Sequence, residues 1–458
     1  MDDTKLFPQL KETVCLKPMA GYALAHGHHP SQIQMLDPSH AFFLSLCDKG
    51  LLPPQIAFIY GQTFGLKDVD AHSQIDQLLS KYRHFLNFDT TPVPRERFSP
   101  QEFLYRADPS ALDLATFGKW PVPAGISITL TFSCNFRCSY CYQDNRQRSD
   151  RRWSLSKCLE LLDEAADWGV VFAGFTGGEP TIFDGWLELL ERTLTRGMIP
   201  VFTSNGTVIG TDPDIALRLK DAGMEEVTIS LDVCSPELHD QVTRTSGHFP
   251  KVVDAIRFLR AAGIRVLIKS VLTPMTQHAV EETIDFLVDL GVGGIGISYM
   301  ESGAINSAAN CAPNVTPEEL SRVRDRIEQK REQYSHLCNI EPPEDANKLW
   351  TETDWYPCGG MISGMSIFPS GDVSVCDKMH GVKAFTLGNV FDSGLKEIWN
   401  SDAFARLCER ATDPEVVDSD CAICSKLHLC RTSCFVDSFN VTGSYFGKDP
   451  SCGGPFLN

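Results

Sequence analysis

The sequence predicts an α/β protein whose largest part is a partial (β/α)6 barrel. Six short apolar runs alternate with helical patterns such as Leu155–Trp168 between residue 125 and a helix near Pro317–Tyr334. A strand-and-helix pattern precedes this region, and a cysteine-rich region with little apolar periodicity follows it. Regular β–α alternation is typical of parallel strands joined by right-handed crossovers. We therefore expect a winged-helix-like module, a barrel and a third domain that bound metal stabilises.

The first module is predicted at residues 1–88. Strand-like runs near Gly21–Ala25 and Gln32–Leu36 precede Asp37-Pro38-Ser39, which is a helix-start signal. Helical patterns follow at Ala41–Cys47, Pro54–Phe64 and Val69–Leu86. The order of two strands and three helices suits a winged-helix-like module. Several prolines then mark residues 89–124 as a connecting segment.

The barrel is predicted at residues 125–335. Its candidate strands are Ile126–Thr131, Val170–Thr176, Pro200–Ser204, Val227–Asp232, Val266–Thr273 and Gly294–Tyr299. In barrels of this kind the chemistry lies at the carboxyl ends of the strands. Polar or cysteine residues follow several of these predicted ends, so we expect the active site there.

Charge and hydropathy exclude two classes of partner. The 458-residue chain has a formal net charge of −18 and no Lys/Arg run that could bind phosphates, so no nucleic-acid partner is expected. The longest apolar stretches, such as Gly169–Phe175, are far shorter than the roughly 20 residues that span a bilayer. The first residues show no signal-peptide pattern. A cytoplasmic protein with no membrane partner is therefore expected.

The cysteines cluster in two regions. Of the 17 cysteines, Cys134, Cys138 and Cys141 form a CxxxCxxC pattern just after the first barrel strand. In a reducing compartment such spacing indicates metal ligation rather than disulfides. A [4Fe–4S] cluster normally takes four thiolates, so three would leave one iron open to a small molecule. Zinc-bound or unrelated cysteines are the alternative.

The second cysteine group lies in the domain predicted at residues 340–458. Its spacing is Cys358-x12-Gly371-x4-Cys376, followed by Cys421-x2-Cys424-x5-Cys430-x3-Cys434-x17-Cys452. A zinc ribbon is the alternative for four of these residues, although seven cysteines suit zinc poorly.

The CxxxCxxC motif, with Tyr140 before its last cysteine, resembles that of the radical S-adenosylmethionine (SAM) superfamily. Gly177-Gly178-Glu179-Pro180, at the end of the second predicted strand, resembles the GGEP motif that contacts the methionyl amino group of SAM in that family. Glycines permit close backbone approach and a carboxylate pairs with an ammonium, in agreement with this role.

The same resemblance implies SAM contacts at the ends of later strands. It suggests that the ribose and carboxylate are contacted by Ser204, Asn205, Ser230, Asp232 and Arg244. Turn formation is the alternative for the Ser and Asn positions, and a surface position for Arg244. In the family, one electron from the reduced cluster cleaves SAM to methionine and a 5′-deoxyadenosyl radical, which abstracts a substrate hydrogen.

The C-terminal cysteine pattern resembles a SPASM domain, which carries two auxiliary [4Fe–4S] clusters and would bring the total to three clusters. This resemblance implies a distal cluster held by Cys421, Cys424, Cys430 and Cys452, and a proximal one held by Cys358, Cys376 and Cys434. The proximal set is one ligand short. Cys338 could complete it, or the site is open to a substrate thiolate, which is the alternative we favour.

Two further residues are candidate catalytic groups. Asp377 occupies the position of a proposed base in the similar anaerobic sulfatase-maturing enzymes, although a turn aspartate would look the same. Tyr299 and Glu301 could line the pocket, with packing as the alternative for the tyrosine.

The combined pattern resembles peptide maturases of ribosomally made natural products. This resemblance implies a leader-bearing precursor peptide as partner, bound by the first module as an added strand, and a flavodoxin- or ferredoxin-type electron donor. A helical cap on the barrel is the alternative for that module. A cysteine thioether is the predicted product; carbon–carbon cross-linking, formylglycine-type maturation and a non-enzymatic electron-transfer protein are the alternatives.

Overall fold

Two separate apolar cores organise the chain. The computed structural model describes residues 6–11, 14–18, 23–26, 34–95, 97–105, 122–141, 154–300, 317–343, 349, 359–361 and 363–457. Within this part, the chain divides into one compact unit over Met1–Phe117 and a second over Gly118–Asn458. Each unit has its own cluster of buried apolar side chains. The finer division of the second unit near residue 335 stays a prediction.

The first unit begins its helical part at the predicted signal. Asp37 has extended backbone and its carboxylate accepts hydrogen bonds from the amides of Ser39 and His40, at 2.9 and 3.1 Å, while Pro38 opens the helix. The strands are β1 (Phe7–Leu10), β2 (Cys15–Pro18), β3 (Ala23–His26), β4 (Gln34–Leu36) and β5 (Leu86–Asp89). The helices are α1 (Pro38–Leu46), α2 (Pro53–Phe64), α3 (Asp68–Lys81) and α4 (Pro100–Tyr105).

Three details of this unit differ from the sequence prediction. The third helix ends at Lys81 rather than Leu86, because Arg83–Phe85 forms a tighter turn and the following residues pair with β1. The short strands β1 and β2 were not predicted, since four-residue runs are too short to show a period. The connecting segment contains α4.

The second unit follows the predicted alternation. Its strands are β6 (Gly125–Thr131), β7 (Phe172–Gly177), β8 (Ile199–Ser204), β9 (Glu226–Ser230), β10 (Arg265–Leu272), β11 (Gly294–Tyr299), β12 (Asn339–Glu341), β13 (Gly364–Ile367), β14 (Asp372–Ser374) and β15 (Thr386–Asn389). Its helices up to the last barrel helix are α5 (Leu155–Trp168), α6 (Trp186–Thr195), α7 (Pro213–Asp221), α8 (Pro236–Thr243), α9 (Phe249–Ala261), α10 (Val280–Asp289) and α11 (Pro317–Tyr334). The remaining helices are α12 (Leu395–Trp399), α13 (Asp402–Arg410), α14 (Ser419–Ala422), α15 (Leu427–Cys430) and α16 (Phe435–Thr442).

The ten strands that the structure describes in this unit form one sheet in the order β12-β11-β10-β9-β8-β7-β6-β13-β14-β15. The strands from β6 to β12, together with β13, run parallel. Alternate side chains such as Ile229, Ile268 and Ile297 are buried with apolar side chains of the helices. The other face of β6–β11 is the inner face of the predicted partial barrel, because successive right-handed crossovers place the helices on one side.

The C-terminal region extends the barrel sheet rather than forming a separate layer. Strand β13 pairs in parallel with β6, and β14 and β15 continue from it as antiparallel strands. Helices α12 and α13 are separated by Asn400, which caps the end of α12, and by Ser401, which caps the start of α13 through a hydrogen bond from the Phe404 amide. No helix in the described residues is both long and apolar enough to cross a membrane.

Candidate active site and cluster-binding region

The loop that carries Cys134, Cys138 and Cys141 is tied by its backbone to helix α8. The amide of Arg137 donates to the carbonyl of Thr243, and the amide of Ser139 to that of Val242, both at 2.9 Å. These carbonyls lie at the end of α8, where a helix leaves acceptors without an internal partner. The loop is therefore held in place before any cofactor binds.

The three cysteines of this loop are half-buried thiols. Burial raises the pKa of Cys134 to about 11, with smaller contributions from Glu179 and Cys141. Burial also raises the pKa of Cys138, and the charges of Asp232, Cys141 and Cys134 add to the effect. The thiols thus lie close enough to influence one another, and a bound metal is what would hold them as thiolates. This donor set fits an iron–sulfur cluster.

The Gly177-Gly178 turn packs against the segment that leads into this loop. The Gly178 amide donates to the Thr131 carbonyl at 2.7 Å, and the Glu179 amide donates to the Ser133 carbonyl at 2.9 Å. A Cβ atom would lie 2.2 Å from the Thr131 oxygen at Gly177 and 2.0 Å from the Ser133 oxygen at Gly178. Only glycine permits this approach. The sequence led us to expect that these two glycines lie close to a cofactor. In the structure, their close contacts are with the backbone that leads into the cysteine loop.

Glu179 is buried and its carboxylate accepts four hydrogen bonds. The donors to Oε1 are the Thr181 amide, the Thr181 hydroxyl and the Ser204 hydroxyl, and the Asn205 amide donates to Oε2 at 2.7 Å. Burial raises the pKa of Glu179, and these hydrogen bonds act against that rise. The carboxylate joins the ends of β7 and β8, and Pro180 starts a buried turn beside it.

A second polar network joins the cysteine loop to the end of β8. The side-chain amide of Asn205 donates to the Asn135 side-chain oxygen at 2.7 Å, and Asn135 donates to the Thr207 hydroxyl at 2.6 Å. Thr207 in turn donates to the Asn205 side-chain oxygen at 2.7 Å. Asn135 and Thr207 were not predicted as site residues. For Asn135, the sequence offered one signal of a role in the site, namely its position between two cysteines of the motif.

Tyr140 and Asp232 form a third link between the loop and the strand ends. The Tyr140 hydroxyl donates to Asp232 Oδ2 at 2.7 Å, and the Val271 amide donates to Oδ1 at 2.8 Å. Burial raises the pKa of Asp232 to about 6, against these two hydrogen bonds. Ser230 is half-buried at the end of β9.

Arg244 lies directly after α8, beside the loop anchors. Its backbone is left-handed, with φ of 51°, and its side chain is exposed. A left-handed conformation is uncommon for a residue other than glycine. The left-handed conformation therefore marks Arg244 as the residue at which the chain leaves α8.

The distal set of predicted ligands lines one cavity. Cys421, Cys424, Cys430 and Cys452 surround a space of about 380 Å³ together with Phe456. Burial raises the pKa of Cys421 to about 12, with contributions from Asp418, Cys452 and Cys424. The described residues contain no group of three or more His, Cys, Asp or Glu side chains that could hold a metal ion in this arrangement. The four thiols that line this cavity match the number of thiolates that an iron–sulfur cluster normally takes.

Cys434 is absent from the lining of that cavity, although only three residues separate it from Cys430. Those residues, Arg431, Thr432 and Ser433, are buried and have consecutive left-handed φ values of 50°, 64° and 61°. Each such residue costs roughly 1–2 kcal/mol. This strained turn directs the two cysteines to different places, as their predicted assignment to two clusters requires.

The proximal set is only partly described, because Cys358 lies outside the described residues. Cys376 precedes a short turn, and its thiol donates to Asp377 Oδ1 at 3.5 Å. Cys338 is buried beside Arg265 and precedes β12, the edge strand at the opposite end of the sheet order from β14 and β15. The open proximal site therefore stays a prediction.

Tyr299 points to the helical layer. Its hydroxyl donates to the Leu320 carbonyl of α11 at 2.8 Å, and its ring lines a small cavity with Leu272 and Met300. This contact accords with the packing alternative, and a catalytic role for Tyr299 stays a prediction. Glu301 lies outside the described residues.

Comparisons with known proteins identify both metal-binding regions. The radical SAM superfamily model matches residues 128–287, and the model of an iron–sulfur cluster-binding domain, SPASM, matches residues 358–425. The mycofactocin maturase of Mycobacterium ulcerans is 27% identical over 72% of this chain and 88% of its own length. The PqqA peptide cyclase of Streptomyces rochei is 25% identical over 72% of this chain and 89% of its own length.

Among solved structures, SuiB of Streptococcus suis bound to S-adenosylmethionine has the same fold. It superimposes with a TM-score of 0.69 at 18% identity and covers 97% of this chain and 100% of its own. This likeness confirms the predicted α/β fold class, with its large, mostly parallel sheet and C-terminal SPASM domain.

Proposed function

This chain is a radical SAM enzyme with a SPASM domain, and on that premise we propose that it matures a precursor peptide by installing an oxidative cross-link. The observation that carries the proposal is the locked cysteine loop. Backbone hydrogen bonds tie it to the glycine turn and to α8, and side chains tie it to Asn205 and Asp232. Such preorganisation is what a site for a reactive intermediate needs.

The comparisons support a peptide as the substrate. Two of the relatives are a mycofactocin maturase and a PqqA peptide cyclase, and one SuiB structure contains the precursor peptide SuiA. The SuiB fold covers 97% of this chain. This coverage supports a first unit that binds a leader peptide.

We assign roles to the chain's residues as follows. Cys134, Cys138 and Cys141 would hold the catalytic cluster, and the backbone of the Gly177–Pro180 turn would position the amino group of SAM. Bound together, the cluster and SAM supply a 5′-deoxyadenosyl radical that abstracts a substrate hydrogen. Ser230 and Arg244 would contact the cofactor's ribose and carboxylate, and Asp232 would fix the orientation of Tyr140.

The cross-link we favour is a thioether. Forming a carbon–sulfur bond from a thiol and a C–H bond removes two electrons and two protons from the substrate. One electron and one proton leave as the hydrogen atom, and Asp377 would accept the thiol proton. The predicted auxiliary-cluster cysteines, which include Cys376 and Cys421, would hold an acceptor for the other electron, and an external flavodoxin- or ferredoxin-type protein would supply the electron that starts turnover. Carbon–carbon cross-linking needs the same electron balance and is the second candidate.

The test is anaerobic reconstitution of the full chain and of a variant with Cys134→Ala, Cys138→Ala and Cys141→Ala. Three clusters predict about twelve irons in the wild type and about eight in the variant. The wild type should release 5′-deoxyadenosine from SAM, and the variant should not. Peptides encoded beside the gene should lose two mass units on cross-linking. A chain that cleaves SAM but changes no such peptide would contradict the proposed substrate.

A further inference from the structure

The inner face of the barrel sheet is lined by hydroxyl groups. Thr129 pairs with Thr176, and Thr203 pairs with Thr228, so four neighbouring strands present threonines at one level. The next inward position on β9 is Ser230. Val201, on this face of β8, is 41% exposed although β8 has a strand on each side, so solvent reaches this face.

Lys269 is an exposed cation on this face. It lies in the middle of β10, level with Ser230 of β9 and Gly296 of β11. Its stem runs beside Gly296, where a Cβ atom would be 3.8 Å from the lysine Cδ. The side chain is exposed, although β10 is flanked by strands on both sides. It makes no hydrogen bond or ion pair with the described part of the chain.

Among the described residues, the acidic groups nearest to Lys269 along β9 and β10 are already paired, so none of them serves as its counterion. Glu226 pairs with Arg265 at 2.9 Å, and this pair lies at the amino ends of β9 and β10. Asp232 lies nearer the carboxyl ends, and its two oxygens accept from Tyr140 and the Val271 amide. The Lys269 ammonium can donate hydrogen bonds to nearby hydroxyl groups, but these acceptors carry no negative charge.

The position of Lys269 within the sheet indicates which molecule it faces. The cysteine loop follows β6 and the glycine turn ends β7, whereas β10 lies three strands beyond β7. The side of the sheet formed by β6 and β7 would hold the methionyl part of SAM. Ser230, an expected cofactor contact, lies level with Lys269 on the neighbouring strand, so the lysine lies where the molecule that donates the hydrogen would meet the cofactor.

We propose that Lys269 binds a carboxylate of the peptide substrate, either an acidic side chain or the C-terminal carboxylate. An ammonium binds a carboxylate through charge-assisted hydrogen bonds, which both attract and position the ligand. This inference rests on the proposed function and narrows its substrate: the segment that enters the barrel carries a negative charge close to the residue that is modified.

The test measures the reactivity of Lys269 in the reconstituted, SAM-saturated full chain. Trace acetylation with acetic anhydride, followed by mass spectrometry, gives the labelling rate of each lysine. The exposed Lys251 on α9 is the internal reference. Three probes are compared: N-acetylglutamic acid α-amide carries a side-chain carboxylate, N-acetylglutamine amide is its neutral isostere, and N-acetylglycine carries only an α-carboxylate.

We expect a carboxylate probe at high concentration to slow labelling of Lys269 about threefold, because an ion pair shields the amine and stabilises its protonated, unreactive form. The neutral isostere should have no effect, and Lys251 should react equally in all samples. Protection by N-acetylglutamic acid α-amide alone would identify an acidic side chain, and protection by N-acetylglycine a C-terminus. Equal labelling with all three probes would overturn the proposal.

A second measurement excludes SAM as the source of the carboxylate. Equilibrium dialysis should give the same SAM affinity, within about twofold, for the wild type, Lys269→Met, Lys269→Arg and the control Lys251→Met. A loss of tenfold or more in Lys269→Met alone would assign the lysine to the cofactor and overturn the proposal. Because neither measurement needs turnover, failure of the proposed peptide chemistry would appear only in the 5′-deoxyadenosine and peptide-mass assays.

Discussion

The hydroxyl of Tyr140, one residue before the third cysteine of the loop, donates a 2.7 Å hydrogen bond to the buried carboxylate of Asp232. This bond connects the loop after the first barrel strand to the end of the fourth. The sequence placed both residues at the cofactor, but it gave no sign that they contact each other. Because the two side chains are in contact, removing their hydrogen bond tests how firmly the loop is held, and this test needs no substrate.

We predict that Tyr140→Phe speeds iron release from the catalytic cluster. Loss of the hydroxyl leaves a buried carboxylate oxygen without a donor, at a cost of about 1–3 kcal/mol. The measurement is the rate of iron transfer to a chelator from the reconstituted chain. Tyr299→Phe removes a hydroxyl that donates to α11 instead and should leave the rate unchanged. Equal rates in the wild type and Tyr140→Phe would show that the bond does not hold the loop.

If the two auxiliary clusters occupy separate sites, the iron lost by a double cysteine variant should depend on whether both cysteines belong to the same site. Cys421 and Cys452 line one cavity, whereas Cys434 does not. The double variant Cys421→Ser/Cys452→Ser should therefore lose a single cluster and retain about eight irons, and Cys421→Ser/Cys434→Ser should retain about four. Iron and sulfide analysis after reconstitution distinguishes these results. Equal iron content in both double variants would contradict the assignment to two sites.

Cys338 provides a test of the open proximal site. Because it lies beside Arg265 at the far edge of the sheet, Cys338→Ser should retain all three clusters, with about twelve irons. Cys376→Ser should lose the proximal cluster and about four irons. Loss of four irons in Cys338→Ser would instead make this cysteine a ligand.

Gly178 should tolerate no side chain. In Gly178→Ala the new Cβ would lie 2.0 Å from the Ser133 oxygen, so the backbone that leads to Cys134 must move. We expect poor retention of the catalytic cluster and loss of SAM cleavage. Gly174→Ala, in strand β7, places its Cβ no closer than 3.6 Å to any atom outside its chain neighbours and should reconstitute normally. The comparison is made on iron content and 5′-deoxyadenosine release.

The first unit offers a prediction that is independent of the clusters. Asp37→Ala removes the cap of α1, at a cost of about 1 kcal/mol, so the α1 amides should exchange with deuterium about fivefold faster. Lys67→Ala is the control, since Lys67 makes no side-chain cap hydrogen bond at the start of α3. Unchanged exchange in Asp37→Ala would mean that packing alone holds the helix.

The same cap has a defined pH dependence. Burial would raise the pKa of Asp37, but hydrogen bonds from His40 and Ser39 outweigh burial and hold the pKa below its usual range. A depressed folded-state pKa stabilises the unit above the unfolded value of about 3.9, and the benefit is lost as pH falls below it. Protection of the α1 amides, taken relative to their intrinsic exchange rates, should therefore be weaker below about pH 4 than at about pH 5. In Asp37→Asn this acid-sensitive part should disappear.

The alternation of strands and helices was predictable because each barrel strand has a face buried against helices. Strand Gly294–Tyr299 and helix α5 have the predicted bounds, and the other barrel strands differ by a few residues at their ends. The glycine turn and cysteine spacing were visible for a related reason. Few other residue types can perform the chemistry of these two motifs, so the motifs can be recognised directly in the sequence.

Contacts that depend on side-chain geometry were not predictable. The sequence assigned the Glu179 carboxylate to the cofactor, but it gave no indication of the four hydrogen bonds that this carboxylate accepts from Thr181, Ser204 and Asn205. The left-handed run at Arg431–Ser433 contains no glycine, so no rule of backbone propensity would place it there. The inward orientation of Lys269 follows only from the register of β10, which the apolar pattern does not specify.

The pairing of β6 with β13 has a consequence for how the chain is made. During synthesis, β6 emerges long before Gly364–Ile367, so one side of the strand has no partner while the rest of the barrel forms. Open edges of this kind template aggregation, and domains assemble largely in order from the N-terminus. A protein truncated before residue 364 should therefore be prone to aggregate even with the whole barrel present. Expression trials that seek an isolated barrel would do better to retain the chain through β15.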